Sequence, residues 1–286
     1  MVKFVWALLR DTVMAFVDDG ALSRGASIAF YTVTSIAPVL VIVVAIAGLA
    51  FGEDAARGAI VSELSGLMGH QSAELLQSAI KSASSTSSGI IATLIGLAVL
   101  LVSASGVFGE MQTALNAIWK AEPRGTTVTR LIRARIVSLG LVAALGFLLL
   151  VSLAISTVLA ALGQYVDAVL PFGSELLELI NFVVSFVLIT VLFAAIYKIL
   201  PDRHLEWHDV SVGAAATALL FTFGKYLIGL YVGSSAIASS YGAAGALIVI
   251  LLWIYYSAQI FLLGAEFTKV YANHHVRRRR VATAAR

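Results

Sequence analysis

Few side chains in this 286-residue sequence could do chemistry, and those few lie inside or beside long apolar runs. Lys225 is the ionisable residue set deepest in such a run, roughly 10 Å from its end at Val232 at about 1.5 Å of rise per residue. Its stem could snorkel toward Tyr226 and Tyr231, or its ammonium could face a polar cavity. Glu266 closes the last apolar run, with Lys269 three residues on, a spacing that suits a helical ion pair. Gln259 falls two turns deeper on the same face and could extend that pair into a polar seam. Near the start, Pro38 removes the hydrogen bond to the Thr34 carbonyl. The hydroxyls of Thr32, Thr34 and Ser35 stand close enough to satisfy freed backbone groups. Lys225, Gln259, Glu266, Thr34, Ser35 and Pro38 together form the candidate polar pathway.

Other reactive types are sparse. With no cysteine in the chain, disulfides, thiolate catalysis and cysteine-based metal clusters are excluded. His204 and His208 have an i, i+4 metal-ligand spacing, but Pro201 makes the segment read as a loop and no third ligand is evident, so no metal site or cofactor is expected. Asp202 and Asp209 read as helix caps and solvating groups. The run Arg277, Arg278, Arg279 and Arg280 suits anionic lipid headgroups and lacks the aromatic platform of a specific nucleic-acid reader.

The elements that must position these residues are helices in a membrane. Hydrophobic residues make up 60% of the chain and charged residues 12%, half the charged share of a soluble domain. Six runs are long enough to cross the hydrocarbon core: 26–51, 89–108, 136–162, 179–200, 210–232 and 243–265. The fold class expected is therefore an all-α integral membrane protein, one membrane domain over 1–286; a β-barrel would need alternating ten-residue segments that are lacking here. Residues 1–25 read as a cytoplasmic amphipathic helix lying in the interface, with Phe4 and Trp6 toward acyl chains and no cleavable signal peptide. The long first outer loop carries two short amphipathic helices broken near Gly69 and then a serine-rich linker.

Sixteen of the nineteen Lys and Arg fall on one side of the bundle, in the N-terminal segment, the second and fourth loops and the basic tail 266–286. Arg57 and Lys81 fall on the other, so both termini are expected in the cytoplasm. Small residues recur on single stripes: Gly89, Gly96 and Ser103 in the second span with Ser105, Gly106 and Gly109 following, then Gly213, Gly224 and Gly229 in the fifth and Gly242, Gly245 and Gly264 around the sixth. Such stripes let helices approach closely where lipid gives no hydrophobic drive to associate.

Several segments carry a resemblance. Ser27-Ile28-Ala29-Phe30-Tyr31 through Pro38, Leu115-Asn116-Ala117-Ile118-Trp119 and Leu200-Pro201-Asp202-Arg203 occur in order. They are followed by Tyr241-Gly242-Ala243-Ala244-Gly245, Trp253-Ile254-Tyr255 and Gly264-Ala265-Glu266. Over about Gly20 to Ala272 the chain resembles the YihY/BrkB family of bacterial inner-membrane proteins, formerly labelled ribonuclease BN-like. The resemblance implies a role in envelope integrity, with movement of lipids or lipopolysaccharide precursors proposed for the family and virulence for some relatives. Membrane lipids, anionic headgroups among them, are the expected partners, with a homo-oligomer allowed and no specific nucleic acid. The ribonuclease label finds no convergent His/Asp cluster to hold ions and activate water, so the expectation is a non-enzyme. Lipid or amphiphile transport and a non-transporting scaffold are the two readings left by the sequence.

Overall fold

The computed structural model describes residues 2–84, 106–121, 173–234 and 237–284, with scattered positions between 102 and 162. Every regular element among the described residues is a helix. They are α1 (Val2–Asp18), α2 (Ala21–Phe51), α3 (Glu53–Met68) and α4 (His70–Ser84). Then come α5 (106–118), α6 (Gly173–Ile199), α7 (Trp207–Ser234) and α8 (Ile237–Ala284). Four stretches are long and apolar enough to cross a bilayer: Ala21–Leu49, Glu175–Ile199, Trp207–Ile228 and Ala244–His274. They correspond to the first, fourth, fifth and sixth expected spans. The second span at 89–108 lies largely outside the described residues, as do Gly89, Gly96 and Ser103, while the described positions of the third, at 136–162, are scattered and all helical.

Two glycines set the chain's corners. Gly20 adopts φ 65°, a left-handed conformation that costs glycine little, and so turns α1 sharply into α2. With nothing within 4 Å of its absent Cβ, the backbone angle and not crowding is what calls for glycine there. Gly69, at φ 83°, breaks the outer segment into α3 and α4 where the sequence places the break. This helical pair packs on the bundle: Met68 and Leu76 are buried with Ala29 of α2 and Val249, Ile250 and Ile254 of α8.

α1 is amphipathic as its sequence implies. Leu8 and Thr12 are buried, while Val5, Trp6, Leu9, Val13 and Val17 face outward. Phe4 departs from expectation. Its ring meets His274 of α8 edge-on at 5.9 Å, because α1 lies along α8 and takes this face with it.

α8 also runs on where an end was expected at 265. It continues unbroken through the arginine run to Ala284, 48 residues or about 72 Å, more than twice a hydrocarbon core. Arg277 to Arg280 therefore stand on helix, not on an extended tail. Helix-forming arginine and alanine carry the turn onward, and charge alone does not stop a helix.

The α7–α8 seam explains the glycines. A Cβ on Gly213 would overlap the Thr268 side chain, and one on Gly264 would overlap Thr217 and sit 2.6 Å from the Tyr197 hydroxyl. One on Gly224 would fall 2.6 Å from Ile260 Cδ1. The two helices thus exchange a glycine for a threonine in both directions. Each threonine hydroxyl is satisfied on its own helix, Thr217 donating to Gly213 O at 2.7 Å and Thr268 to Gly264 O at 2.7 Å. α6 joins through Tyr197, which is fully buried and donates to Phe261 O at 2.6 Å.

Candidate functional site

The corner at Gly20 brings Asp19 against the far end of the chain. Lys269 Nζ contacts Asp19 Oδ2 and donates to Glu266 Oε2 at 2.9 Å. The Glu266 side chain is 0% exposed, and its second oxygen, Oε1, is buried without a hydrogen-bond partner. Arg24 holds the corner from the other side, donating from Nε to Asp19 O at 3.0 Å. Lys120, at the end of the α5 segment, adds a second positive field on Asp19. Burial pushes the Asp19 carboxyl up, but the Lys269 ammonium, a hydrogen bond with the Glu266 side chain and the Lys120 charge together outweigh it and hold the group below its ordinary value.

Gln259 lies on the same α2-facing side of α8 as Glu266. Its Nε2 approaches Leu22 O at 3.4 Å, and a Cβ on Gly25 would overlap the amide, so Gly25 makes the room for it. Gln259 Oε1, like Glu266 Oε1, is buried and unpartnered. These two residues of the expected pathway are therefore brought to one seam, with Asp19 as a member that the sequence reading did not single out.

The other four are placed elsewhere. Lys225 lies at the α7–α8 seam beside Trp253, Tyr256 and Ile260, its ammonium 5.8 Å from the Tyr226 ring centroid. Thr34 faces outward and its hydroxyl donates to Phe30 O and Tyr31 O, at 3.2 and 2.9 Å. Thr32 donates to Ile28 O at 2.7 Å. Both hydroxyls bond upstream carbonyls and not the Thr34 carbonyl that Pro38 frees. Ser35 is buried near Gly106, and Pro38 sits inside a continuous α2. The side chains of Arg277 to Arg280 lie outside the described residues.

A second feature is a cavity of about 280 Å³ between α2, α5, α6, α7 and α8. Ile28, Val39, Phe108, Phe193, Phe221 and Phe261 are among its walls. The hydroxyls among the described lining, Thr32 and Ser257, are both spent on their own helices, Ser257 donating to Trp253 O at 2.9 Å. None of Lys225, Gln259, Glu266, Thr34, Ser35 or Pro38 is in that described lining. The cavity is apolar, and the charged seam lies apart from it.

At the same end of the bundle as Asp19, two loops lock together. Asn116 Nδ2 donates to Asp202 Oδ2 at 2.9 Å while Asp202 N–H donates to Asn116 Oδ1 at 2.8 Å. Gln112 Nε2 reaches the same carboxylate at 3.4 Å. Arg203 donates to Trp119 O at 2.8 Å and lies 5.7 Å from that indole's centroid. Asp202 is thus a clasp between the Leu115–Trp119 and Leu200–Arg203 segments, not a solvated cap. His208 stacks on Tyr271 at 6.2 Å and stands 3.5 Å from Asp209, while His204 is exposed. Among the described residues no three His, Asp or Glu side chains are grouped to hold a metal ion.

Long apolar helices, seamed by small residues and tied at one end by a charged corner and a loop clasp, define a multi-pass membrane protein. The chain belongs to the virulence factor BrkB family, whose model matches residues 12–286. A UPF0761 membrane protein of Mannheimia succiniciproducens is 28% identical over 260 residues, covering 89% of this chain and 86% of that protein. Those of Rhodospirillum centenum and Alkalilimnicola ehrlichii are 27% and 32% identical, over 91% and 68% of this chain. The matches span only 56% and 42% of those two longer relatives. No solved structure matches the chain.

Proposed function

We propose that this protein moves a lipid or similar amphiphile within or across the bacterial cytoplasmic membrane. The observation that carries the reading is the apolar cavity of about 280 Å³ between the long helices. Its walls are hydrocarbon and aromatic, and its described hydroxyls are already committed to backbone, so it suits an acyl chain better than a headgroup. The topology that goes with this reading has six spans and both termini in the cytoplasm, supported by the lopsided placement of Lys and Arg. The proposed function requires no chemical step, cofactor or metal, and it accords with the role in envelope integrity that the resemblance implies.

The experiment is lipid scrambling by purified protein in liposomes with headgroup-labelled lipids. Wild type is compared with Ala258→Phe and Ser257→Phe, which project bulk into the cavity, and with Glu266→Gln and Lys225→Ala. Wild-type activity lost on filling the cavity supports transport through it. Inactivity of correctly folded and inserted wild type favours the scaffold reading, for which the interlocked α7–α8 seam and the Asn116–Asp202 clasp speak.

A further inference from the structure

We propose that Glu266 is a proton-binding site whose occupancy sets how firmly the α1–α2 corner is held to α8. Asp19 and Glu266 present two carboxylates to one ammonium, Lys269. Glu266 is completely buried, one oxygen accepting from Lys269 and the other, Oε1, meeting no donor. An ionised carboxylate in that position leaves an unsatisfied acceptor and an excess negative charge out of water. A proton on Oε1 removes both and releases Lys269 to pair fully with Asp19.

The remaining charged groups around the corner do not replace that proton. Arg24 on α2 donates to the Asp19 backbone carbonyl and so pins the corner, not the carboxylates. Lys120 reaches in from the α5 segment and acts on Asp19. Asp11 of α1 and His274 of α8 form a separate pair at 3.1 Å along the same seam. With Glu266 protonated, Asp19 and Lys269 close the corner. With Glu266 ionised, the ammonium is shared between two acids and the corner loosens about Gly20, the left-handed residue between α1 and α2.

The chain has no cysteine, so spin labels can be placed on Val13→Cys and Asn273→Cys, both outward-facing, without removing native thiols. Their separation is read by pulsed electron resonance on full-length protein in lipid nanodiscs, from about pH 5 to about pH 9. The expected result is a one-proton transition to longer or broader separations as pH rises. Glu266→Gln holds the low-pH distribution throughout. Asp19→Asn removes the acid that closes the corner and abolishes the transition, leaving the longer or broader separations at every pH. His274→Gln leaves the transition in place. A wild-type distribution that does not change with pH, a transition kept in Glu266→Gln, or one lost in His274→Gln overturns the proposal. The Asp19→Asn arm keeps Glu266 native, so a transition that persists there overturns the proposal even when Glu266→Gln does not insert.

Discussion

Gly264→Ala adds a single methyl group to the tightest part of the α7–α8 seam. The new Cβ falls within the Thr217 side chain and 2.6 Å from the Tyr197 hydroxyl. Admitting it requires either that the two helices part or that Thr217 turns away. Turning Thr217 sacrifices its 2.7 Å bond to Gly213 O and its 3.1 Å contact with Tyr197. Parting the helices strains the Tyr197 bond to Phe261 O instead. Overpacking of this kind costs about 1–3 kcal/mol and each lost hydrogen bond about 0.5–1.5, against a gain of about 0.5–1 from replacing a helical glycine. The expected net loss is about 0.5–4 kcal/mol, centred near 2, from the same terms. Equilibrium unfolding in mixed detergent micelles, followed by far-ultraviolet circular dichroism, measures it. Gly58→Ala serves as the control: nothing lies within 4 Å of that Cβ, so the same change there should stabilise by about 0.5–1 kcal/mol. In a Thr217→Ala background the Gly264→Ala loss should shrink by about 1 kcal/mol or more, because the two sites are in contact. A Gly264→Ala protein within about 0.5 kcal/mol of wild type, or a loss that Thr217→Ala leaves unchanged, refutes the packing argument.

The clasp between loops offers a second test. Asn116→Ala removes both reciprocal bonds to Asp202 and should cost about 2–3 kcal/mol in the same unfolding assay, while Asn116→Asp, which sets a second carboxylate beside Asp202, should cost more. Asp19 gives a third, at low pH. Its folded value lies below the ordinary 3.8, so its pairing stabilises the fold fully above that value and the contribution is lost as pH falls through the folded one. Thermal unfolding temperatures should therefore drop below about pH 4, and Asp19→Asn should flatten that drop while lowering stability at neutral pH.

The sequence made the local features legible. The amphipathic face of α1, the break at Gly69 and four long apolar helices are all written in spacing over a few turns, and each is found where the chain implies it. Gly213, Gly224 and Gly264 were likewise readable as packing residues, although which side chains fill their space was not. Contacts across long separations were hidden. Asp19 and Lys269 are 250 residues apart, and Asn116 and Asp202 are 86 apart, so no periodicity links them. Their motifs were visible only through family resemblance, which marked Asn116, Asp202 and Glu266 without saying what they touch. The cavity was invisible for another reason. Its walls are ordinary apolar residues, and only their absence from a packed centre distinguishes them. A polar pathway through Pro38 and Thr34 misjudged direction, since Thr34 turns outward and bonds its own helix.

The pairing of Asp19 with Lys269 also bears on biogenesis. At the usual 5–20 residues per second, roughly 12–50 seconds of synthesis separate the first partner from the second. Throughout that interval the nascent N-terminal helix has its inner face, Leu8 and Thr12, without the last helix to lie on. A ribosome that stalls before residue 269 leaves a protein whose first corner cannot lock. Closure of that corner thus waits on delivery of the chain through its last described helix, and it reports on synthesis as well as on folding.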